Sequence, residues 1–286
     1  MELGRLGIWY PVDRLDAAQL RGFLGTVVRL GYSTLWYPEA RGYESFSIAG
    51  FMLGNTSNLV IGSSIASIYA RDAFTARRGM IGLNALYGDR FVLGLGVSHT
   101  PMVEGIRGHT YGKPLATMRA YLDALTHGES GTEAWPVAIA ALGPKMLDLA
   151  FARTRGALPY NTIPEHTAGA KAKMPAGKWL VAEQKVTIET DPAKARALAR
   201  KELSRYLVLE NYRNSWLGMG FTEQDLADSG SDRFVDAMVL WGDAAAVKAG
   251  LRKHLDAGAT HLAIQPVHAE GDVAARDGIL AALADL

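Results

Sequence analysis

A chain of 286 residues, 49% of them hydrophobic, is long enough to bury one large core, and it carries no low-complexity tract of the kind that keeps a chain disordered. Lys and Arg number 30 against 29 for Asp and Glu, so no overall field draws the chain to nucleic acid or an anionic membrane, and any anionic ligand must be held locally. The absence of cysteine removes disulfides, thiolate metal sites and a cysteine nucleophile. Met1-Glu2-Leu3-Gly4-Arg5 is unlike a signal peptide and no apolar run is long enough to span a bilayer, so the expectation is a soluble, cytoplasmic protein.

Apolar strands and amphipathic helices alternate along the chain. Arg5 to Pro11 reads as a strand, followed by an Asp13 or Asp16 cap and a helix over Ala17 to Leu30 that stops at Gly31. Thr34 to Tyr37 is a second strand, Glu44 to Leu53 a helix, Leu59 to Ile65 a third strand, and Asp72 caps a helix through Leu86. Phe91 to Leu95 makes strand four, and a helix around Leu115 to Leu125 returns the chain to Val137 to Ala141. A helix from Gly143-Pro144 through Phe151 precedes the short strand Gly156 to Pro159, and Lys185 to Ile188 is the seventh. Helical sequence then runs from Pro192 to about Leu209, near Thr222 to Ala227 and from Asp243 to Asp256. Ala259 to Gln265 is the eighth strand, and Val273 to Leu283 a closing helix.

Eight such units in about 250 residues, with parallel strands and right-handed crossovers, predict one closed (β/α)8 TIM barrel over residues 1–286, with no linker to divide it. Chemistry in such a barrel sits at the C-terminal strand ends. That turns position into a shortlist: Trp9, Tyr10, Tyr37, Glu39, Ser63, Ser64, Ile65, Ser98, His99, Leu158, Tyr160, Asn161, Gln265 and His268. Arg5 and Arg90, at the opposite ends, are assigned to stability. The strand Phe91 to Leu95 runs into Gly94-x-Gly96, whose missing Cβ atoms permit close approach of a ligand or a positive φ, although the full dinucleotide fingerprint fails for want of a third glycine.

The seven histidines never pair at HxH or HExxH spacing, strand ends present no carboxylate cluster, and neither Gly-x-Ser-x-Gly nor a phosphate-binding loop occurs. What remains is a mouth of aromatics, small residues and backbone donors. That suits a large planar cofactor carrying its own chemistry while the protein orients it and excludes water.

Gly31-Tyr32-Ser33-Thr34-Leu35-Trp36-Tyr37-Pro38-Glu39, Ile61-Gly62-Ser63-Ser64-Ile65, Phe91 to Ser98 and Tyr111 to Leu122 together resemble the luciferase-like monooxygenase superfamily, in its coenzyme F420-dependent oxidoreductase branch. The resemblance runs from about Leu6 to Leu283. It implies a bacterial-luciferase-like barrel that transfers a hydride between the deazaflavin and a small organic substrate. It also implies a homodimer packed through barrel helices, for which the small residues of Gly79-Met80-Ile81-Gly82-Leu83 offer one contact. A non-prolyl cis peptide at Ser64-Ile65 would back the flavin ring. Glu39 would stand near it, and Leu95, Gly96, Val97 and Ser98 with Ala157, Leu158 and Pro159 would lie along it. Glu39 and His99 are the candidate catalytic groups, each with an ordinary alternative: a helix cap or a partner for Arg41 in the first case, a loop hydrogen bond in the second.

Two further features bear on substrate and cofactor. Members that oxidise a sugar phosphate resemble one another in a histidine after the acidic residue of strand two and a glutamate after the strand-four turn, where this chain has Ala40 and Val97. Basic residues outnumber acidic ones over 165–201, among them Lys171, Lys173, Lys178, Lys185, Arg196 and Arg200, which would suit a cofactor tail bearing phosphate and glutamates or simply form a solvated face. The alternatives are an FMN-dependent monooxygenase of the same architecture and a barrel that binds a flavin or deazaflavin without catalysis.

Overall fold

A computed structural model describes all 286 residues. In chain order the elements are β1 (Leu6–Trp9), α1 (Ala17–Arg29), β2 (Thr34–Tyr37), α2 (Ser45–Gly54), β3 (Val60–Ser63), β4 (Ala66–Ser67), α3 (Ala73–Tyr87), β5 (Phe91–Gly96), α4 (Thr100–Val103) and α5 (Pro114–Thr126). Then come β6 (Val137–Ile139), α6 (Pro144–Arg153), β7 (Gly156–Ala157), α7 (Pro164–Lys173), β8 (Trp179–Ile188), α8 (Pro192–Leu207), α9 (Glu210–Gly218), α10 (Asp232–Met238), β9 (Val239–Gly242), α11 (Ala244–Asp256), β10 (His261–Pro266) and α12 (Val273–Leu283).

Every ladder is parallel, and the sheet closes as β1-β2-β3-β5-β6-β7-β8-β10 and back to β1. That is the eight-stranded barrel expected from the alternation. β3 and β4 are one strand interrupted at Ser64-Ile65, since both pair with β5, Gly62 against Val92 and Ala66 against Leu95. No helix is long and apolar enough to cross a membrane.

Two of the expected elements differ. The seventh strand starts at Trp179, six residues before Lys185, because its lower half pairs with β7 and with His261 to Gln265. Its upper half gains β9, a flanking strand over 239–242 that the sequence reading left unassigned. The helix expected near Thr222 to Ala227 is a run of turns, while 210–218 is α9; Asp225 accepts from Thr222 N at 3.0 Å and from Ser231 Oγ at 2.7 Å, ending the helical path locally.

The termini of the helices follow from their caps. Asp16 rather than Asp13 opens α1, its Oδ1 accepting from Gln19 N at 2.8 Å while Gln19 Oε1 accepts from Asp16 N at 3.0 Å. Glu44 caps α2 and Asp72 caps α3. Arg90, at the lower rim, donates to the carbonyls of Leu53, Leu59 and Tyr87, the stabilising role expected of it. Gly79 lets α3 approach α2, since a Cβ there would stand 3.0 Å from the Phe46 ring.

Side chains partition into three cores. The barrel interior holds Trp9, Trp36, Val92, Leu158, Trp179 and Ala263 among others. A larger shell packs strands against helices, and a third cluster joins α8, α9 and α10 through Leu203, Trp216 and Phe234.

Two fully buried histidines tie these layers together. In the barrel, Trp36 Nε1 donates to His261 Nε2 at 3.0 Å and the His261 Nδ1–H donates to Gly4 O at 2.9 Å. Outside it, His254 Nε2 donates to Gln184 Oε1 at 2.9 Å and Nδ1 accepts from Thr167 at 2.8 Å. Each ring must be neutral to accept its bond, and burial lowers both from 6.5 to about 4. The unfolded chain therefore takes up protons first as pH falls. Stability is complete above pH 6.5 and declines between 6.5 and 4, by about 1.4 kcal/mol per pH unit for each histidine. Urea midpoints measured across this range should fall with acid, and NMR should find both rings neutral at pH 5; a ring titrating near 6.5 would contradict the assignment.

Candidate active site at the barrel mouth

The upper rim is organised by the interruption between β3 and β4. The Ser64-Ile65 peptide bond is cis, as the resemblance implied. Ser64 O accepts from Trp9 Nε1 at 3.2 Å, Ser64 N donates to Tyr37 O at 2.7 Å, and Ile65 O accepts from Glu39 N at 3.1 Å. The Trp9 side chain from β1 and the backbone at the end of β2 thus converge on one bulge.

The Gly-x-Gly turn serves this bulge. A Cβ on Gly94 would lie 1.9 Å from Ser63 O, and one on Gly96 would lie 2.4 Å from Ile65 Cγ1. Neither glycine has a positive φ. The residue that does is Ser98, at φ 57°, whose carbonyl accepts from Tyr111 Oη at 3.2 Å. The glycines therefore admit the chain's own neighbouring strand, not a ligand, to the place their side chains would fill.

Glu39 lies just past the end of β2 with its side chain only 4% exposed, and both carboxylate oxygens are engaged. Oε2 accepts from Ser67 N at 2.8 Å and from Arg71 Nη1 at 3.1 Å; Oε1 pairs with Arg71 Nη2 and accepts from Ser45 N at 3.4 Å. Arg71, 7% exposed, also reaches Glu44 at 2.9 Å. Burial works against the guanidinium charge, but the two carboxylates outweigh it and move its pKa up. The partner is Arg71, not Arg41.

The other expected residues divide by which way they face. Ser64, Ile65, Val97 and Ser98 are half-buried and leave surface at the mouth. Leu95 and Ala157 point into the strand–helix core, Gly96 is covered by Ile65, and Leu158 and Pro159 are buried. The side chains of Leu95 and Ala157 consequently cannot lie along a cofactor. Strand alternation sends every second side chain outward, which is the reason for this correction.

His99 follows the turn, half-buried, its Nδ1 3.1 Å from Asn211 Oδ1 and its ring 5.5 Å from Tyr212, both on α9. Burial lowers its pKa, so the ring is neutral at pH 7, with Nδ1–H donating to Asn211 and Nε2 left as an acceptor. Opposite, Trp9 packs on Tyr160 with ring centroids 5.0 Å apart. Tyr160 Oη donates to Gln265 Oε1 at 2.8 Å and stands 2.6 Å from Tyr206 Oη. Tyr10 Oη lies 3.2 Å from His268 Nε2.

Beneath Tyr160 is a buried pair that the sequence reading placed elsewhere. Lys185 Nζ contacts Glu183 Oε1 at 3.1 Å and Asn161 Oδ1 at 2.6 Å, and sits 3.9 Å from the Tyr160 ring centroid. Burial pushes the lysine pKa down and the glutamate pKa up. Of the basic residues over 165–201, Lys171, Lys194 and Lys201 stay exposed, while the others are engaged. Lys185 is inside the barrel, Lys178 donates to Thr154 O at the lower rim, Lys173 pairs with Asp148, and Arg196 and Arg200 pair with Asp232. Two charges at alternate positions of an apolar strand were the available signal for this interior pair. Arg71 and the α9 residues carried no such signal.

The sequence profile of the luciferase-like monooxygenase family matches residues 11–133, the segment that holds Glu39, the bulge and the glycine turn. Over those residues the chain is similar to luciferase-like monooxygenases, and the match covers less than half of it. A Mycobacterium tuberculosis protein named as a coenzyme F420-dependent oxidoreductase is 27% identical over 269 residues, spanning 89% of this chain and 71% of that one. Among solved structures, the coenzyme F420-dependent tetrahydromethanopterin reductase of Methanopyrus kandleri superposes with a TM-score of 0.72 at 15% identity, covering 99% of this chain and 98% of the other. The oxygenating constituent of 3,6-diketocamphane monooxygenase from Pseudomonas putida, in complex with FMN, gives a TM-score of 0.71 at 14% identity, with 98% and 96% covered.

Substituting Glu39→Gln leaves a buried guanidinium short of its main counter-charge, and should cost about 3 kcal/mol of unfolding free energy. Adding Arg71→Met should recover part of that loss in a double-mutant cycle read by chemical denaturation. Strictly additive losses would contradict the coupling.

Proposed function

We infer that this luciferase-like barrel is an oxidoreductase that uses coenzyme F420 to transfer a hydride to or from a small organic substrate. The observation carrying the reading is the kind of surface left at the mouth. It is apolar and backbone-rich at Ile65, Val97, Ser64 and Ser98, and walled by Trp9 and Tyr160, while its one rim carboxylate, Glu39, is neutralised by Arg71. No three His, Cys, Asp or Glu side chains lie close enough to share a metal ion. A flat, largely apolar ring fits such a surface, and the redox capacity then belongs to the ring.

The unspent polar groups are compatible with that cofactor. Asn161 Nδ2 and Thr162 Oγ1, after β7, are buried without a hydrogen-bond partner, and His99 retains Nε2 as an acceptor. A bound deazaflavin would supply hydride donation and acceptance. Ile65 and Val97 would hold one face and keep water from it, Trp9 and Tyr160 would wall the substrate side, and neutral His99 would hold or accept a proton at Nε2. Glu39 acts in this arrangement as a positioning residue, fixing Ile65 through its backbone N–H and the β4 turn through its carboxylate. Similarity to the Mycobacterium tuberculosis protein supports F420, whereas the fold shared with the FMN complex supports FMN as the second reading.

Anaerobic fluorescence titration of the protein with F420 and FMN in parallel separates the two. Selective saturable binding of F420 is the expected result; preference for FMN, or binding of neither, would contradict it.

A further inference from the structure

Directly after β7, at the end of the barrel that carries the mouth, two neighbouring side chains keep polar atoms away from water and out of every hydrogen bond. Asn161 is 3% exposed and Thr162 2%, and neither Asn161 Nδ2 nor Thr162 Oγ1 has a partner. An unmet buried polar atom destabilises the free protein, so two in succession at such a strand end call for a physical reason.

Everything else on Asn161 is taken, most of it by one ion pair. Its backbone N–H donates to Glu183 Oε2 at 3.1 Å, its Oδ1 accepts from Lys185 Nζ at 2.6 Å, and its carbonyl accepts from Trp216 Nε1 at 3.0 Å. The lysine decides which way the amide faces. An ammonium has only donors, so the amide atom against it must be oxygen and the NH2 must face away. The backbone is held at a φ of 58°, in a region that asparagine tolerates better than most residues. Two charged side chains withdrawn from water thus fix one donor, Nδ2, with the Thr162 hydroxyl next to it in sequence.

The charges at this place are already matched. Lys185 pairs with Glu183, Glu202 pairs with Arg205, and the Lys185 ammonium also lies 3.9 Å from the centroid of the Tyr160 ring. A carboxylate or phosphate would find no free cation and would be buried near Glu183, and a ligand cation would face the amide N–H groups. An uncharged oxygen with free lone pairs satisfies both atoms. We propose that Asn161 Nδ2 and Thr162 Oγ1 form a subsite for the carbonyl or hydroxyl oxygen of a neutral group, and that Lys185 with Glu183 is the positioning pair that keeps the amide in its donating orientation. Tyr160, which walls the mouth against Trp9, immediately precedes the subsite, so the oxygen belongs to the deazaflavin ring or to the substrate bound against it. That connection to hydride transfer rests on the functional reading above.

The test labels the full chain with 15N at asparagine and follows the Asn161 side-chain amide, identified by its loss in Asn161→Asp, as F420 and then cyclohexanone are added. Methylcyclohexane serves as a probe without the oxygen. The amide protons should move downfield with F420 if the oxygen is the cofactor's, or only with cyclohexanone if it is the substrate's, and methylcyclohexane should leave them in place. Thr162→Val should raise the urea midpoint of the free protein, because it deletes an unmet polar atom, and should weaken the ligand that moves the amide about tenfold. Lys185→Met/Glu183→Gln removes both charges together, leaves neither buried alone and keeps an acceptor for the Asn161 backbone; it should lose the downfield shift and about tenfold in affinity. Amide protons unmoved by both ligands, a Thr162→Val midpoint that falls, as it does when buried water holds the hydroxyl, or an uncharged variant that keeps shift and affinity would each overturn the proposal. F420 bound with the amide unmoved by either addition removes the subsite and leaves the functional reading. An amide moved by cyclohexanone in protein that does not bind F420 leaves the subsite and removes the functional reading.

Discussion

The arrangement of the mouth depends on the buried pairing of Glu39 with Arg71. One carboxylate joins the end of β2, the β4 turn at Ser67, the start of α2 at Ser45 and a guanidinium near the start of α3, in a place where neither charge is well hydrated. The same residue's backbone N–H holds Ile65 O. An isolated buried charge is costly, so these four segments are held in one mutual geometry or the pair is not satisfied. The bulge and the β4 turn take their positions from that constraint.

Close backbone approach is the second requirement. Ser63 O stands where a side chain on Gly94 would begin, and Ile65 occupies the place of one on Gly96. The two glycines are therefore part of the same local solution as the bulge. A Gly-x-Gly turn invites a reading in terms of ligand access or positive φ; here strand packing explains both residues, and Ser98 carries the positive φ instead.

The fold was legible because alternation of apolar strands with capped helices is a strong periodic signal. The eight barrel strands, the cap at Asp72, the choice between Asp13 and Asp16 before α1 and the closing helix at 273–283 were readable in that way, whereas the cap at Glu44 was not. Long-range pairing was less legible: β9 is short, and its identity depends on the upper half of β8 extending beyond β7. At the site, residue position was legible but facing was not. Leu95 and Val97 belong to one apolar run and both pack toward the strand–helix core, yet Leu95 is wholly buried inside β5 while Val97, past the strand's end, stays half-buried at the rim. Lys185 looked like surface charge by composition, and only its alternation with Glu183 on an apolar strand hinted at an interior pair. Arg71 lies 32 residues from Glu39 and announced itself by no motif.

The central claim is that a deazaflavin ring rests on the Ile65 ledge at the barrel mouth. A crystal structure of the protein soaked or grown with F420 tests it most directly. The account expects the tricyclic ring against Ile65 and Val97, within contact of Ser98 and on the side walled by Trp9 and Tyr160. A ring found away from Ile65 and Val97 would contradict it.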